Sequence, residues 1–334
     1  MQERLLFLIG SPRSGTTMLA RMLGAHSDVY APDEPHLMTG LAHLGYFEHV
    51  TEAPYDPFIT KIALQKLVKS LPHGEQDYLE TLRAHSDALY GKMLAPTGKT
   101  HLLDKTPAYA LVLDFIAKLY PRARYVVITR NPMAVWSSQV ESFFDGDPEA
   151  ARRQSPLLDR YVPAIARFLR ERPVDLIHVR YEDLVADPER HAREIAAHVG
   201  LGFEPAMVDY GEAAQGEATR GLGDPIQAAK AGRPTTDSLD KWKGALASDP
   251  TQLEAARAAL GRTLDADLET WGYRRADLAA ELDAIVPGGP ARKRRLDRFA
   301  VERRILVLLR RNIHHNALGR LVRRIRFACD VLLR

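Results

Sequence analysis

The sequence predicts an α/β fold with a central parallel sheet flanked by helices, followed by a basic helical tail. Three observations carry this reading. Short apolar runs of strand length alternate with helix-length amphipathic segments. The first run, Leu5–Ile9, ends at Gly10 and passes through a short polar loop into a helical pattern, the opening of a βαβ unit. Charge is segregated: residues 291–334 carry 14 Lys/Arg against 3 Asp/Glu, a net +11 in a chain of net +3, so residues 1–290 carry −8.

Size and composition set the outer bounds. A chain of 334 residues with 46% apolar content holds one large domain or two small ones. Cys329 is the single cysteine, so no intrachain disulfide can form, which fits a reducing compartment. Leu5–Ile9 is too short for a signal-peptide core, and no run reaches the roughly 18 apolar residues of a membrane span. The expected location is cytoplasmic, and the abundance of Ala and Arg points to a bacterial source.

Each element follows from its residues. Leu5–Ile9 is uniformly apolar, the pattern of a buried parallel strand. Thr16–Gly24 places Met18, Leu19, Met22 and Leu23 at helical spacing, and a short second strand precedes Pro32. His101–Leu103 is a strand candidate and Pro107–Leu119 a helix. Arg124–Thr129 is rich in β-branched residues, and Pro132–Ser142 is a helix with proline at its start. Pro156–Arg170 is amphipathic, Leu176–Val179 is a strand, and Pro188–Val199 is a helix that Asp187 is placed to cap. Residues 40–100 and 211–250 are less regular and read as inserts that carry specificity or a lid.

The loop Gly10-Ser-Pro-Arg-Ser-Gly15-Thr16-Thr17 has the G-x-x-x-x-G spacing of a phosphate-binding loop, but Thr16 stands where such a loop has lysine. Its amides and the helix N-terminus still form an anion nest, with hydroxyls at Thr16 and Thr17 and a positive charge at Arg13. The missing lysine removes the expectation of ATP or GTP. Downstream, Arg130 ends a strand, where ligands bind in open α/β sheets, and Ser138 follows two turns into the next helix.

These two motifs resemble those of the PAPS-dependent sulfotransferases (PAPS is 3′-phosphoadenosine 5′-phosphosulfate). "FLIGSPRSGTTML" is similar to the family's 5′-phosphosulfate loop, in the PRSGTT form of the tyrosylprotein, Golgi carbohydrate and many bacterial members. "RYVVITRNPMAVWSSQVES" is similar to its 3′-phosphate motif, with Arg130 and Ser138 matching. "LLDKTPAYA", "VRYEDLVADPE", "DSLDKWKGAL" and "LETWGY" extend the resemblance over about residues 4–275.

The resemblance implies the sulfotransferase fold over residues 1–275; beyond it, an Ala/Asp/Glu segment and Pro-Gly-Gly-Pro read as a linker at 276–290 before the basic tail at 291–334. It implies PAPS as donor, PAP as product, and metal-free in-line transfer of a sulfuryl group to a hydroxyl. Arg13, Ser14, Gly15, Thr16, Thr17, Arg130, Ser138, Tyr181, Arg233 and Ser238 are the candidate nucleotide-binding residues, with Lys241 beside them and Trp242 as a packing anchor. Arg13 and Lys105 are candidates for stabilising transferred charge, and Glu34 is the candidate general base, with Asp33 and His36 as rivals. Glycan, lipid, small metabolite and peptide tyrosine all stand as acceptors. A P-loop kinase and a non-catalytic anion binder are the competing readings, the kinase disfavoured by Thr16.

The tail interleaves arginines with Leu306, Leu309, Ile313, Leu318, Leu321, Val322, Ile325 and Cys329, the pattern of basic amphipathic helices. Three uses stand open for it. It can dock on the acidic body or on a second copy, lie on an anionic membrane surface such as the inner membrane, or grip an anionic partner. Nucleic acid is the weakest fit, because aromatics for base stacking are not interleaved.

Overall fold

The computed structural model describes residues 1–42, 57–144, 146–211 and 232–288. The strands are β1 (Leu5–Ile9), β2 (Val29–Tyr30), β3 (His101–Lys105), β4 (Arg124–Thr129) and β5 (Leu176–Arg180). They form one parallel sheet in the order β2-β3-β1-β4-β5. The helices of the first half are α1 (Thr16–Gly24), α2 (Leu37–Ala42), α3 (Pro57–Ser70), α4 (Glu75–Leu94), α5 (Leu113–Leu119) and α6 (Pro132–Phe144). Those of the second half are α7 (Pro148–Gln154), α8 (Val162–Glu171), α9 (Tyr181–Ala186), α10 (Pro188–Val199), α11 (Lys241–Ala247), α12 (Pro250–Arg262), α13 (Asp265–Thr270) and α14 (Arg275–Asp283).

The strand β1 explains why the sheet is covered on both faces. All five of its side chains are buried, and alternate residues enter separate cores. Leu5, Phe7 and Ile9 join a cluster with Tyr109, Tyr120 and Tyr125. Leu6 and Leu8 join one with Leu19, Met22, Val126 and Ile195. Each such side chain, taken from water into a packed core, contributes roughly 1.5–3 kcal/mol.

Strand order also fixes the site. The chain leaves β1 toward β2 and β3, and leaves β4 toward β5. The carboxyl ends of β1 and β4 therefore flank the point where the winding direction reverses, the crevice where open α/β sheets bind ligands. Their register, from Leu6↔Arg124 to Ile9↔Val127, sets the loop after Ile9 beside the one after Thr129.

Several element boundaries differ from expectation. The helix expected over Pro107–Leu119 is a 3₁₀ turn, Pro107–Leu111, and then α5, because Val112 leaves the helical region at φ −130°. The insert at 40–100 contains α3 and the 20-residue α4. The insert at 211–250 contains α11, where Trp242 is buried as a packing anchor. The linker expected at 276–290 is largely α14, whose Leu278 and Leu282, together with Ile285, are buried in the core. The packed body therefore runs to at least Ile285, and the tail lies outside the described residues. Among the described residues, no helix is long and apolar enough to cross a membrane.

Candidate active site

The loop between β1 and α1 is built for close approach. Gly15 sits at the N-cap of α1 with φ 93°, and no side chain caps the helix, so its first amides face outward. A Cβ on Gly15 would lie 2.5 Å from Cδ2 of Tyr181, and one on Gly10 would lie 2.6 Å from Cγ2 of Thr16. Arg13 also adopts left-handed backbone, at φ 70°, a strained state for a residue with a side chain. Thr16 is buried and Thr17 half-buried at the start of α1. Ser14 is turned inward: its hydroxyl donates to the Ser11 carbonyl at 2.7 Å.

Arg13 Nε donates to Ser138 Oγ at 3.0 Å, which ties the loop to α6. The Arg13 guanidinium also lies 5.8 Å from the ring centre of Phe143, so α6 passes over the loop. Arg130 donates from Nη1 to the Arg13 carbonyl at 3.2 Å and from Nη2 to the Ser238 carbonyl at 2.8 Å. Its guanidinium stacks 4.3 Å from the Tyr181 ring centre, and the Tyr181 and Ser238 hydroxyls are 2.6 Å apart. Burial lowers the pKa of Arg130 from its usual value, against the pull of Tyr181 and Glu182. Its Nε is buried without a hydrogen-bond partner among the described residues.

Across the crevice, Lys105 at the end of β3 donates to Glu34 Oε1 at 2.5 Å, with both side chains largely buried. Glu34 Oε2 lies 3.6 Å from Nε2 of the half-exposed His36. His36 has φ 52°, and its amide donates to Thr106 Oγ1 at 3.4 Å. Asp33 is exposed.

The structure thus gathers Arg13, Gly15, Thr16, Thr17, Arg130, Ser138, Tyr181 and Ser238 around the loop, and Glu34, Lys105 and His36 beside it. Arg233 is apart: it is exposed and faces Asp209 at 3.5 Å. Lys241 is exposed at the start of α11.

Sequence reasoning missed the bracket behind Arg130. Glu182 accepts from the Asn131 amide at 2.9 Å and from the Tyr273 hydroxyl at 2.5 Å. Asn131 caps α6 by accepting from the amides of Met133 and Ala134. Arg180 stacks 4.6 Å from the Tyr273 ring, and burial, with Glu182 beside it, raises the Tyr273 hydroxyl well above its ordinary pKa. The Asn-Pro pair that opens α6 was a readable capping signal. The partnership of Glu182 with Tyr273, 91 residues away, had none.

Sheet, loop and paired arginines define an α/β protein of the phosphate-loop class whose loop has no lysine. A family model described as the sulfotransferase family matches residues 6–205, and the chain belongs to that family. It is 33% identical over 237 residues to the nodulation protein NoeE of Sinorhizobium fredii, a match covering 64% of this chain and 54% of NoeE. The chain therefore spans about half the length of that relative. It is 27% identical over 225 residues to a putative protein-tyrosine sulfotransferase of Caenorhabditis briggsae, covering 63% of this chain and 70% of that one. Among solved structures, the sulfotransferase domain of the Synechococcus PCC 7002 olefin synthase matches with TM-score 0.49 and 25% identity, over 72% of this chain and 86% of that domain.

Proposed function

We propose that the protein transfers a sulfuryl group from PAPS to a hydroxyl acceptor. The observation that carries the reading is the convergence of Arg130, Ser138 and Arg13 on the loop, with the Lys105–Glu34 pair across the crevice. The residues fit the donor. The partnerless Nε of Arg130 is a donor awaiting an acceptor, and Gly10 and Gly15, where a Cβ would strike Thr16 and Tyr181, let the loop pack tightly against its own helix and the Tyr181 ring. Arg130 and Ser138 would hold the 3′-phosphate, with Tyr181 and Ser238 beside it. The loop amides, Thr16 and Thr17 would hold the 5′-phosphosulfate.

PAPS supplies an activated sulfuryl group when bound. The chain's own work is positional and electrostatic, as in phosphoryl transfer. Arg13 and Lys105 face the developing charge. An anion that draws Lys105 onto itself weakens its hold on Glu34 and leaves that carboxylate able to accept the acceptor's proton. His36, next to Glu34, orients it and can take the proton onward.

Calorimetric titration tests this. PAP and PAPS bind tightly without Mg²⁺, and ATP binds weakly with or without it. Tight ATP binding that requires Mg²⁺ sinks the reading in favour of a kinase. Glu34→Ala leaves PAP affinity near wild type while turnover falls by about 10²-fold or more, the scale of a lost general base. Arg130→Ala weakens PAP by about tenfold or more, through lost charge-assisted bonds.

A further inference from the structure

Asp104 precedes Lys105 on β3, so its side chain projects to the opposite face, into the core. It is fully buried, as are Tyr90 and Tyr109. One oxygen, Oδ2, accepts from both phenols: Tyr90 at 2.5 Å and Tyr109 at 3.0 Å. The other, Oδ1, has no partner among the described residues. A buried carboxylate with an unmet oxygen is costly, and exchanging a whole buried polar set for apolar side chains of similar volume is often neutral or stabilising. Stability is therefore weak grounds for its presence.

The chain of bonds continues. Having donated to Asp104, the Tyr109 hydroxyl accepts from the Met38 amide at 3.1 Å. Met38 is the second residue of α2, so this is one of the first-turn amides that have no partner within a helix. Carboxylate, phenol and amide polarise one another in line, which sharpens the geometry at the last of them. That amide lies four residues from Glu34, and the intervening His36 is held in left-handed backbone, its own amide on Thr106. The short path Glu34–Met38 is thus pinned at its far end by Asp104 through Tyr109. Tyr90 anchors the same carboxylate to α4.

We propose that Asp104 is a positioning residue: through Tyr109 it fixes the segment Glu34–Met38 and so aims Glu34 at the acceptor hydroxyl. This rests on the reading of Glu34 as the base. The test measures PAP release from saturating PAPS, with 4-nitrophenol and with water alone as acceptor, beside PAP affinity and thermal melting at pH 8. Asp104→Asn and Tyr109→Phe are each expected to lower the rate about tenfold, the scale of a sub-ångström misplacement of a reacting group. PAP affinity is not lowered in either, and melting temperature is not lowered in Asp104→Asn; Tyr109→Phe, which strands the buried Met38 amide, melts lower. The double variant is no slower than the worse single one, because both changes cut the same chain. Wild-type rates in both single variants, with Glu34→Gln inactive, overturn the proposal and spare the base. A fall in PAP affinity in step with the rate in either variant, or a lower melting temperature in Asp104→Asn, also overturns it, marking a plain structural role. Full activity in Glu34→Gln, or no PAP release by the wild type, overturns the underlying reading as well.

Discussion

Arg13 occupies backbone space that side-chain-bearing residues avoid, and its neighbour-but-one Gly15 goes further, to φ 93°. The reward is a loop whose amides face one way. Gly15 is held there twice over, by its dihedral and by the Tyr181 ring. Gly15→Ala forces a methyl to 2.5 Å from that ring and adds the left-handed penalty. It is expected to cost about 2 kcal/mol of stability and more than tenfold in PAP affinity, seen by thermal melting and calorimetry. Residues of this kind were legible in the sequence, because the chemistry of Arg13, Thr16, Arg130 and Ser138 lies within short motifs. Ser14 was legible only by membership of the loop, and the structure spends its hydroxyl on Ser11. Asp104, Tyr109 and Glu182 were not legible, since each acts through partners set by packing.

Among elements, the start of α6 matters most, because Arg130 and Ser138 stand on either side of it. It is clamped to the β5–α9 junction by Glu182. Glu182→Ala strands the Asn131 amide and the Tyr273 hydroxyl, and is expected to cost roughly 3 kcal/mol and to weaken PAP binding with no change at the bound nucleotide's own contacts. Retained melting temperature with unchanged PAP affinity would count against the clamp. The elements that were readable are those with a strong period, such as β1, β4 and α10. Those that were not have diluted faces. In α4 only Leu79, Ser86, Tyr90 and Leu94 are buried over 20 residues. In α14 only Leu278 and Leu282 mark the inner side, amid an Ala/Asp/Glu composition that reads as linker.

At the scale of the molecule, the buried carboxylate couples folding to pH. Burial pushes Asp104 from its usual 3.8 up to about 6, against the pull of the two phenols. A raised carboxyl pKa means that the unfolded chain ionises first as pH rises. Stability is therefore lost between about pH 4 and pH 6 and stays lost above, by up to about 3 kcal/mol for a shift of this size. Asp104→Asn removes that loss. Its melting temperature is expected to equal or exceed the wild type's at pH 7.5, and the advantage to fade on acidification to pH 4.5. A variant that melts lower at pH 7.5 by several degrees would contradict the sign. The parallel sheet itself was predictable from alternating strands and helices, but its order was not. Pairing of β1 with β3 and β4 joins segments about a hundred residues apart, and no local pattern encodes it.

That order leaves the sheet with two rims, and both are poor templates for another chain. On one side β2 offers only Val29 and Tyr30. On the other, the Leu176 carbonyl of β5 is already taken by Arg172 at 2.8 Å, and the strand ends in the charged Arg180 and turns at once into a helix. A protein with so apolar a central strand needs such rims, for a long flat edge beside it would recruit copies of itself into aggregates.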